Sequence, residues 1–575
     1  MTAHKAAHAT LAVLTALSVA SCTSLPGDGS PQVLRSYQPA LPSEDNASPV
    51  DGREPDLLLR DFFAACGRPT GGHQVARSYL TTRAAESWND AAGTTVVDRI
   101  DINAQAGGTD DKITYVIRGG VIGALGTGGT FTPKPGETEA IIELVKVDGQ
   151  WRIDSLPQGV LLERTELQNN FSPQNLFFFD STGRFLVRDR RWVYTRQPQL
   201  DTALISLLME GPKGLLAPGV ETAVPPGATL VGYDGAYKFS GFGNLSPEAR
   251  HKFAAQVIWT LAKGGITGPY RIELDGAPID PNVPDLDVED VAEFNPSAAS
   301  TAVAPLYALS NGSLVKAEGD SLVPEGNGLG SSGKLQSAAV SVSGELSAGV
   351  LVDGADEAQR STLLVGPPSG GLTDVLQART LTSPSFEYDA IALWTVSDGR
   401  AIVRIARSTT TGEMTQQAVQ VPFLDEDEHR DLNIDELKLS PAGVRAAMII
   451  DGNVYVGTVS RPGPGERRMD NVVQVAPAIG ASAVSIDWMH DGSIIVGTSE
   501  ADTPVWRVEP DGSGATPLPS GNITAPVTAV ATSSTTLFIT DARAALQLPI
   551  NSNSSAFWRE VPSLVGTRAT PIVGS

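Results

Sequence analysis

Ile486-Asp487-Trp488-Met489-His490-Asp491-Gly492 reads as a short strand running into a tight turn, and versions of it recur through the second half of the chain. They are Ala339-Val340-Ser341-Val342-Ser343-Gly344-Glu345, Ile391-Ala392-Leu393-Trp394-Thr395-Val396-Ser397-Asp398-Gly399, Leu437-Lys438-Leu439-Ser440-Pro441-Ala442-Gly443 and a degenerate Val530-Ala531-Thr532-Ser533-Ser534. Their turns fall at 344, 399, 443, 492 and 534, so the spacing runs between 42 and 55 residues. Four strands every ~40–50 residues, with no helical period, is the repeat of a β-propeller blade. Residues 300–575 leave room for five or six blades. A two-sheet sandwich is the alternative, but its turns should come about every 8–12 residues without the longer repeat. Trp394 and Trp488 fall at matching places in their copies. Core packing is the expected role for both, and a carbohydrate platform is the other reading.

Upstream of 300 the periodicity changes. Leu176-Phe177-Phe178-Phe179-Asp180 is a strand, Ser181-Thr182-Gly183 turns it, and Phe185-Leu186-Val187 returns. Leu200, Leu204, Leu207 and Leu208 space as a helix face stopped by Gly211-Pro212. Ser246, Pro247 and Glu248 supply a cap, a first helical residue and a first-turn acid for a second helix, which Gly264-Gly265 ends. This block, 170–285, is α+β. So is the one before it, 53–168. There Leu58, Leu59, Phe62, Phe63 and Cys66 mark one helix and Val75 to Trp88 a second. Strand runs follow at 95–97, 113–117 and 141–147, and Asp148-Gly149 turns the last into Trp151-Arg152-Ile153. Residues 22–52 hold Pro26, Pro31, Pro39, Pro42 and Pro49 without apolar periodicity, which is the composition of a flexible tether.

Residues 1–21 read as a lipoprotein signal peptide. Lys5 gives the basic start, and Leu11 to Ala20 the apolar core, too short to span ~30 Å of hydrocarbon as a helix. Val19-Ala20-Ser21-Cys22 has the shape of a lipobox, with Cys22 as the lipid attachment site. A diacylglyceryl group brings two chains, enough for stable anchoring. The other reading is ordinary secretion with a chance cysteine. The remaining cysteine, Cys66, sits on an apolar helix face, so no intramolecular disulfide is available to the mature chain.

The formal net charge is −23, and losing Lys5 with the signal takes it to −24. Such a body repels nucleic acid and anionic headgroups, so a place at the membrane requires the covalent anchor. No catalytic set and no cofactor site is legible. His73, His251, His429 and His490 form no HExxH, there is no CxxC, and no metal site follows from spacing. Gly328-Leu329-Gly330-Ser331-Ser332-Gly333 matches G-x-G-x-x-G but leads into a strand, so it reads as a flexible surface loop rather than a dinucleotide site. Asp425-Glu426-Asp427-Glu428, with Asp431, Asp435 and Glu436 beyond, is the densest acidic cluster. It reads as a solvated loop between blades, with Ca²⁺ or a basic partner as the alternative. Paired carboxylates for glycoside hydrolysis stay open, because their separation exists only in three dimensions.

Several of these stretches resemble known families. Leu176 to Asp180, the run Leu204 to Pro212 ending Met209-Glu210-Gly211-Pro212, and Pro225-Pro226-Gly227-Ala228-Thr229-Leu230 resemble the GerMN domain, named for a spore-germination lipoprotein. Two helices followed by a curved antiparallel sheet in 53–168 resemble the nuclear-transport-factor-2-like (NTF2-like) fold. With the lipobox in front and the propeller behind, the order of parts resembles the LpqB lipoproteins of actinobacteria over effectively the full length. Ser21, where Gly or Ala is more usual, departs from the pattern. The resemblance implies a membrane-anchored extracytoplasmic protein that binds an MtrB-like sensor histidine kinase and affects cell-envelope homeostasis, division and drug tolerance. It implies no catalytic residue, and Cys22 alone carries over. The alternative is an envelope glycan-binding protein or cell-wall-processing enzyme with its site on the propeller face, which acidic residues clustered at the propeller's central channel, or hydrolysis of peptidoglycan or arabinogalactan fragments, would support.

Overall fold

The computed structural model describes residues 48–574 apart from 197, 297–304, 327, 355–357, 368–370, 409, 464 and 553–555. Cys22, the signal segment and most of the expected tether lie outside the described residues.

Proline at the first helical position and Asp56 in the first turn start the helix Pro55–Cys66, and its stripe Leu58, Leu59, Phe62, Phe63 and Cys66 is buried as expected. Each such side chain contributes ~1.5–3 kcal/mol by leaving water. The helical stretch expected over Val75 to Trp88 is instead two short helices, Thr70–Arg77 and Thr82–Ser87. The chain leaves the helix between them to pair with the sheet. Thr81 N donates to Ile153 O at 2.8 Å, Ile153 N donates to Tyr79 O at 3.0 Å, and the Thr81 hydroxyl then caps the next helix. The sheet runs Gln150–Ser155, Phe131–Val147, Lys112–Leu125, Thr94–Val97, Val160–Glu163, antiparallel except for its last pair. Asp148 and Gly149 have φ of 52° and 77°, the left-handed pair that a two-residue hairpin turn requires.

Phe171–Asp180 pairs with Leu186–Tyr194, and the Asp180 carboxylate ties the turn by accepting from the Arg184 and Phe185 N–H groups, each at 2.9 Å. Ser246 caps the helix Pro247–Lys263 by accepting from Ala249 N at 3.2 Å. This helix and Leu200–Met209 enclose one core with both strands.

Among the described residues from 306 onward, the chain forms six four-stranded antiparallel sheets. Five are continuous in sequence, at 335–378, 385–418, 434–474, 483–517 and 529–560. The sixth joins Leu306–Ser310, Ser313–Glu318 and Ser321–Pro324 to the C-terminal strand Thr570–Val573. One edge strand of each sheet touches its counterparts in the sheets before and after, and Thr570–Val573 touches Leu335–Val340, so the circle closes on itself. This is the propeller. Its repeat is read out of phase in one copy. Gly344, Gly443, Gly492 and Ser534 lie between the first and second strands of their sheets, whereas Gly399 lies between the second and third, Ala392–Ser397 and Ala401–Arg407. The first strand there is only Ser385–Phe386, too short to show a pattern, and the Asp398-Gly399 turn follows the second strand instead. Trp394 and Trp488 therefore do not match in position, although both are buried.

Candidate functional site

The inner strands of a propeller have one face toward a neighbouring sheet and the other toward the axis, because side chains alternate. In Ile434–Leu439 this buries Leu437 and Leu439 between sheets and sends Glu436 and Lys438 to the axis. In the next inner strand, Ala483–Trp488, it buries Ile486 and Trp488 and sends Asp487 the same way. The result is a cavity of about 200 Å³ on the axis, walled by five of the six inner strands and by Ser383 just ahead of the sixth, Ser385–Phe386, and holding two carboxylates and one ammonium. Lys438 Nζ lies 3.8 Å from Glu436 Oε1 and donates to Ser383 Oγ at 3.3 Å. Asp487 accepts from Thr532 N at 2.9 Å. Burial pushes Glu436 up to about 7 and Asp487 up to about 6, with Lys438 opposing both shifts. Glu436 therefore leaves the acidic cluster in which the sequence placed it. The missed signal was Glu436-x-Lys438 and Asp487 at axis-facing positions of two consecutive blades.

A second charged cluster sits where the two α+β units meet the propeller. It is carried by Arg188-Asp189-Arg190-Arg191 on a single strand. Arg191 is buried, donating to Asp189 Oδ2 at 2.6 Å from Nη2 and to Gly128 O at 3.0 Å from Nη1. Arg188 and Arg190 reach Glu509 at 3.1 and 3.2 Å. Arg445, whose burial pulls it down to about 10, donates to Arg188 O at 3.0 Å. Leu215 O accepts from both Thr458 Oγ1 and Asn471 Nδ2 at 2.8 Å. Val444 joins the apolar core of residues 176–291, and Gly512 lies against Pro133, where a Cβ would come within 2.4 Å of Pro133 Cγ.

The remaining sequence candidates stand apart. Asp425 to Glu428 lie in the loop joining the 385–418 and 434–474 sheets, held by Arg400, which donates to His429 O and Arg430 O at 3.0 and 2.6 Å. Ligand atoms of Glu426, Glu428 and His429 lie within 4.8 Å of one another, on the exposed side of that loop. His73 pairs with Asp90 at 2.8 Å and His251 with Glu293 at 2.6 Å, while His490 lines a separate cleft beside Trp488. The Gly328 to Gly333 segment, expected to be a flexible surface loop, forms a 3-10 turn that buries Leu329 and Gly330. A Cβ on Gly330 would meet Glu325 O at 2.3 Å, so the turn is fixed by packing. Trp394 Nε1 donates to Glu387 and Trp488 Nε1 to Lys438 O, each at 2.9 Å, which makes both core residues rather than a platform.

Two α+β units ahead of a closed propeller define a multidomain β-propeller protein. The LpqB N-terminal domain model matches residues 48–168, the LpqB β-propeller model matches 312–574, and a model described as sporulation and spore germination matches 175–280. "Lipoprotein LpqB" of Corynebacterium diphtheriae is 42% identical over 98% of both chains. That of Rhodococcus jostii is 38% identical over 98% of this chain and 96% of its own, and that of Mycolicibacterium smegmatis 33% over 96% and 97%. The chain belongs to the LpqB lipoprotein family. Among solved structures, the periplasmic gluconolactonase of Pseudomonas aeruginosa is 14% identical, covering 47% of this chain and 98% of its own, with a TM-score of 0.29. The Cps50 β-propeller domain of Myceliophteria thermophila is 13% identical over 40% and 71%, with a TM-score of 0.27. Neither overlap bears on chemistry.

Proposed function

We propose that the chain is an extracytoplasmic lipoprotein, anchored through a lipidated Cys22, that binds and modulates an MtrB-like sensor histidine kinase and thereby affects the cell envelope and division. In this reading residues 1–21 are the signal peptide, 22–52 the tether, 53–168 the NTF2-like domain, 170–285 the GerMN domain and 300–575 the propeller, and the chain is not an enzyme. The junction built on Arg188-Asp189-Arg190-Arg191 is the observation that carries it. Domains joined through small polar interfaces move by default, whereas this junction buries charge from the second α+β unit and the propeller, with Arg191 also hydrogen-bonded to the Gly128 carbonyl of the first unit. A body fixed in this way presents its surfaces at constant spacing, which favours recognition of one preformed partner over hinge closure on a substrate. The acidic mature chain needs its lipid to stay at a membrane, so Cys22→Ala should move it from the membrane fraction to the medium. Crosslinking in intact cells, followed by mass spectrometry of the joined peptides, tests the partner. Peptides from a sensor-kinase extracytoplasmic domain are expected, and their absence from a crosslinked set that contains other envelope proteins defeats the kinase reading.

A further inference from the structure

We propose that the propeller channel binds a neutral, hydroxyl-rich ligand of single-sugar size. The space, about 200 Å³, is smaller than the ~300–1,000 Å³ of a site for drug-sized ligands and suits one sugar ring. Its charges select against charged ligands of either sign. Lys438 already sits beside Glu436, so a metal ion or an organic cation would meet an ammonium. Glu436 and Asp487 face an anion with two carboxylates. What the channel offers is unused hydrogen-bonding capacity. Glu436 accepts from the Ile486 N–H but has its cation at 3.8 Å, beyond hydrogen-bond length, and the buried Ser337 hydroxyl on the same wall has no partner. The Glu436 and Lys438 side chains keep 20% and 19% of their exposure, so solvent and solutes reach them. Hydroxyl groups would donate to the two carboxylates and accept from Lys438, while Val530 and Ile572 supply apolar wall for the carbon face of a ring. Carboxylate oxygens that still have room for further donors in a confined space can accept a ligand's hydroxyl groups in place of the water that reaches them.

The reading does not depend on the kinase, and its test is separate. Full-length lipoprotein in a detergent without sugar headgroups is mixed with D-glucose, D-galactose, D-arabinose, D-glucosamine or D-glucuronate, and saturation-transfer NMR reads the ring protons. At least one neutral sugar should receive saturation, and neither charged sugar should exceed a tenth of its affinity. Asp487→Asn and Glu436→Gln should each weaken the signal at least tenfold. Ser383→Leu, which fills the channel and leaves its charges in place, should abolish it. No transfer to any neutral sugar, preference for a charged one, or binding unchanged in Ser383→Leu would each overturn the proposal.

Discussion

The Arg191 guanidinium donates to the Asp189 carboxylate at 2.6 Å, with both side chains withdrawn from solvent on the strand where three folded units meet. Two residues apart on one strand, they share a face, so the strand carries its own counter-ion into the junction. Breaking a buried pair costs far more than exchanging it for apolar groups, because the surviving charge is left without a partner. Arg191→Met alone should lower stability by about 3–5 kcal/mol. Adding Asp189→Leu should restore most of that loss. Thermal and urea unfolding of the two variants decides the matter, and equal losses would show that the pair is not coupled.

Glu509 serves Arg188 and Arg190 together, across more than 300 positions of sequence. Glu509→Gln removes the charge and keeps the shape. It should loosen the propeller from the strand before either unit unfolds, and cost about 1–3 kcal/mol. Limited trypsin digestion should then cut first near the junction. A double-mutant cycle with Arg188→Met should give a coupling above ~0.5 kcal/mol, whereas the exposed pair Arg99 and Asp101 should give a smaller one.

What the sequence disclosed divides along physical lines. Features fixed by residues within a few positions were legible, such as the Asp148-Gly149 turn, the Ser246 cap and the stripe of Pro55–Cys66, since local backbone chemistry decides them. The blade repeat was legible in its period, yet the Ser385–Phe386 strand is too short to carry a pattern, and Gly399 displaced the phase of one copy. The break at Ser78–Thr81 depends on Ile153, some seventy positions away. Arg188 to Arg191 look like an ordinary charged strand until Gly128, Glu509 and Arg445 arrive from the other units. Glu436 and Asp487 were in plain view but belong to different blades, and nothing along the chain says that they share an axis.

Glu387 shows how burial and partners compete. Burial pushes its carboxyl up, but Arg404 at 2.6 and 3.0 Å, the Trp394 N–H at 2.9 Å and the Arg467 charge hold it below the ordinary range. Its folded value is depressed, so its contribution to stability is present above the unfolded value of about 4.5 and is lost as the pH falls through the folded value. Glu387→Gln should therefore destabilise the protein at pH 7, and the deficit should shrink below pH 4. Melting temperatures recorded from pH 3 to 8 give the slope, and a deficit independent of pH would mean that the carboxylate charge is not what Arg404 and Arg467 hold.

Glu436 must behave in the opposite sense. Burial lifts it from 4.5 to about 7 despite Lys438, so the folded protein holds a proton there that the unfolded chain releases. Between those values the folded state binds more protons than the unfolded state, and stability falls as the pH rises through the window. Above pH 7 the charged form costs on the order of 3 kcal/mol, and Glu436→Gln removes that cost while keeping the shape. The variant should match the wild type at pH 4 and melt higher at pH 8, the reverse of the Glu387→Gln pattern. Asp487, lifted from 3.8 to about 6, should show the same sign over a window about one unit lower. Because the Asp487 charge also raises Glu436, the double variant should gain less than the two single gains combined. Should Glu436→Gln melt lower than wild type at pH 8, the carboxylate would instead be holding the axis together through Lys438, and the channel would be a structural ion pair.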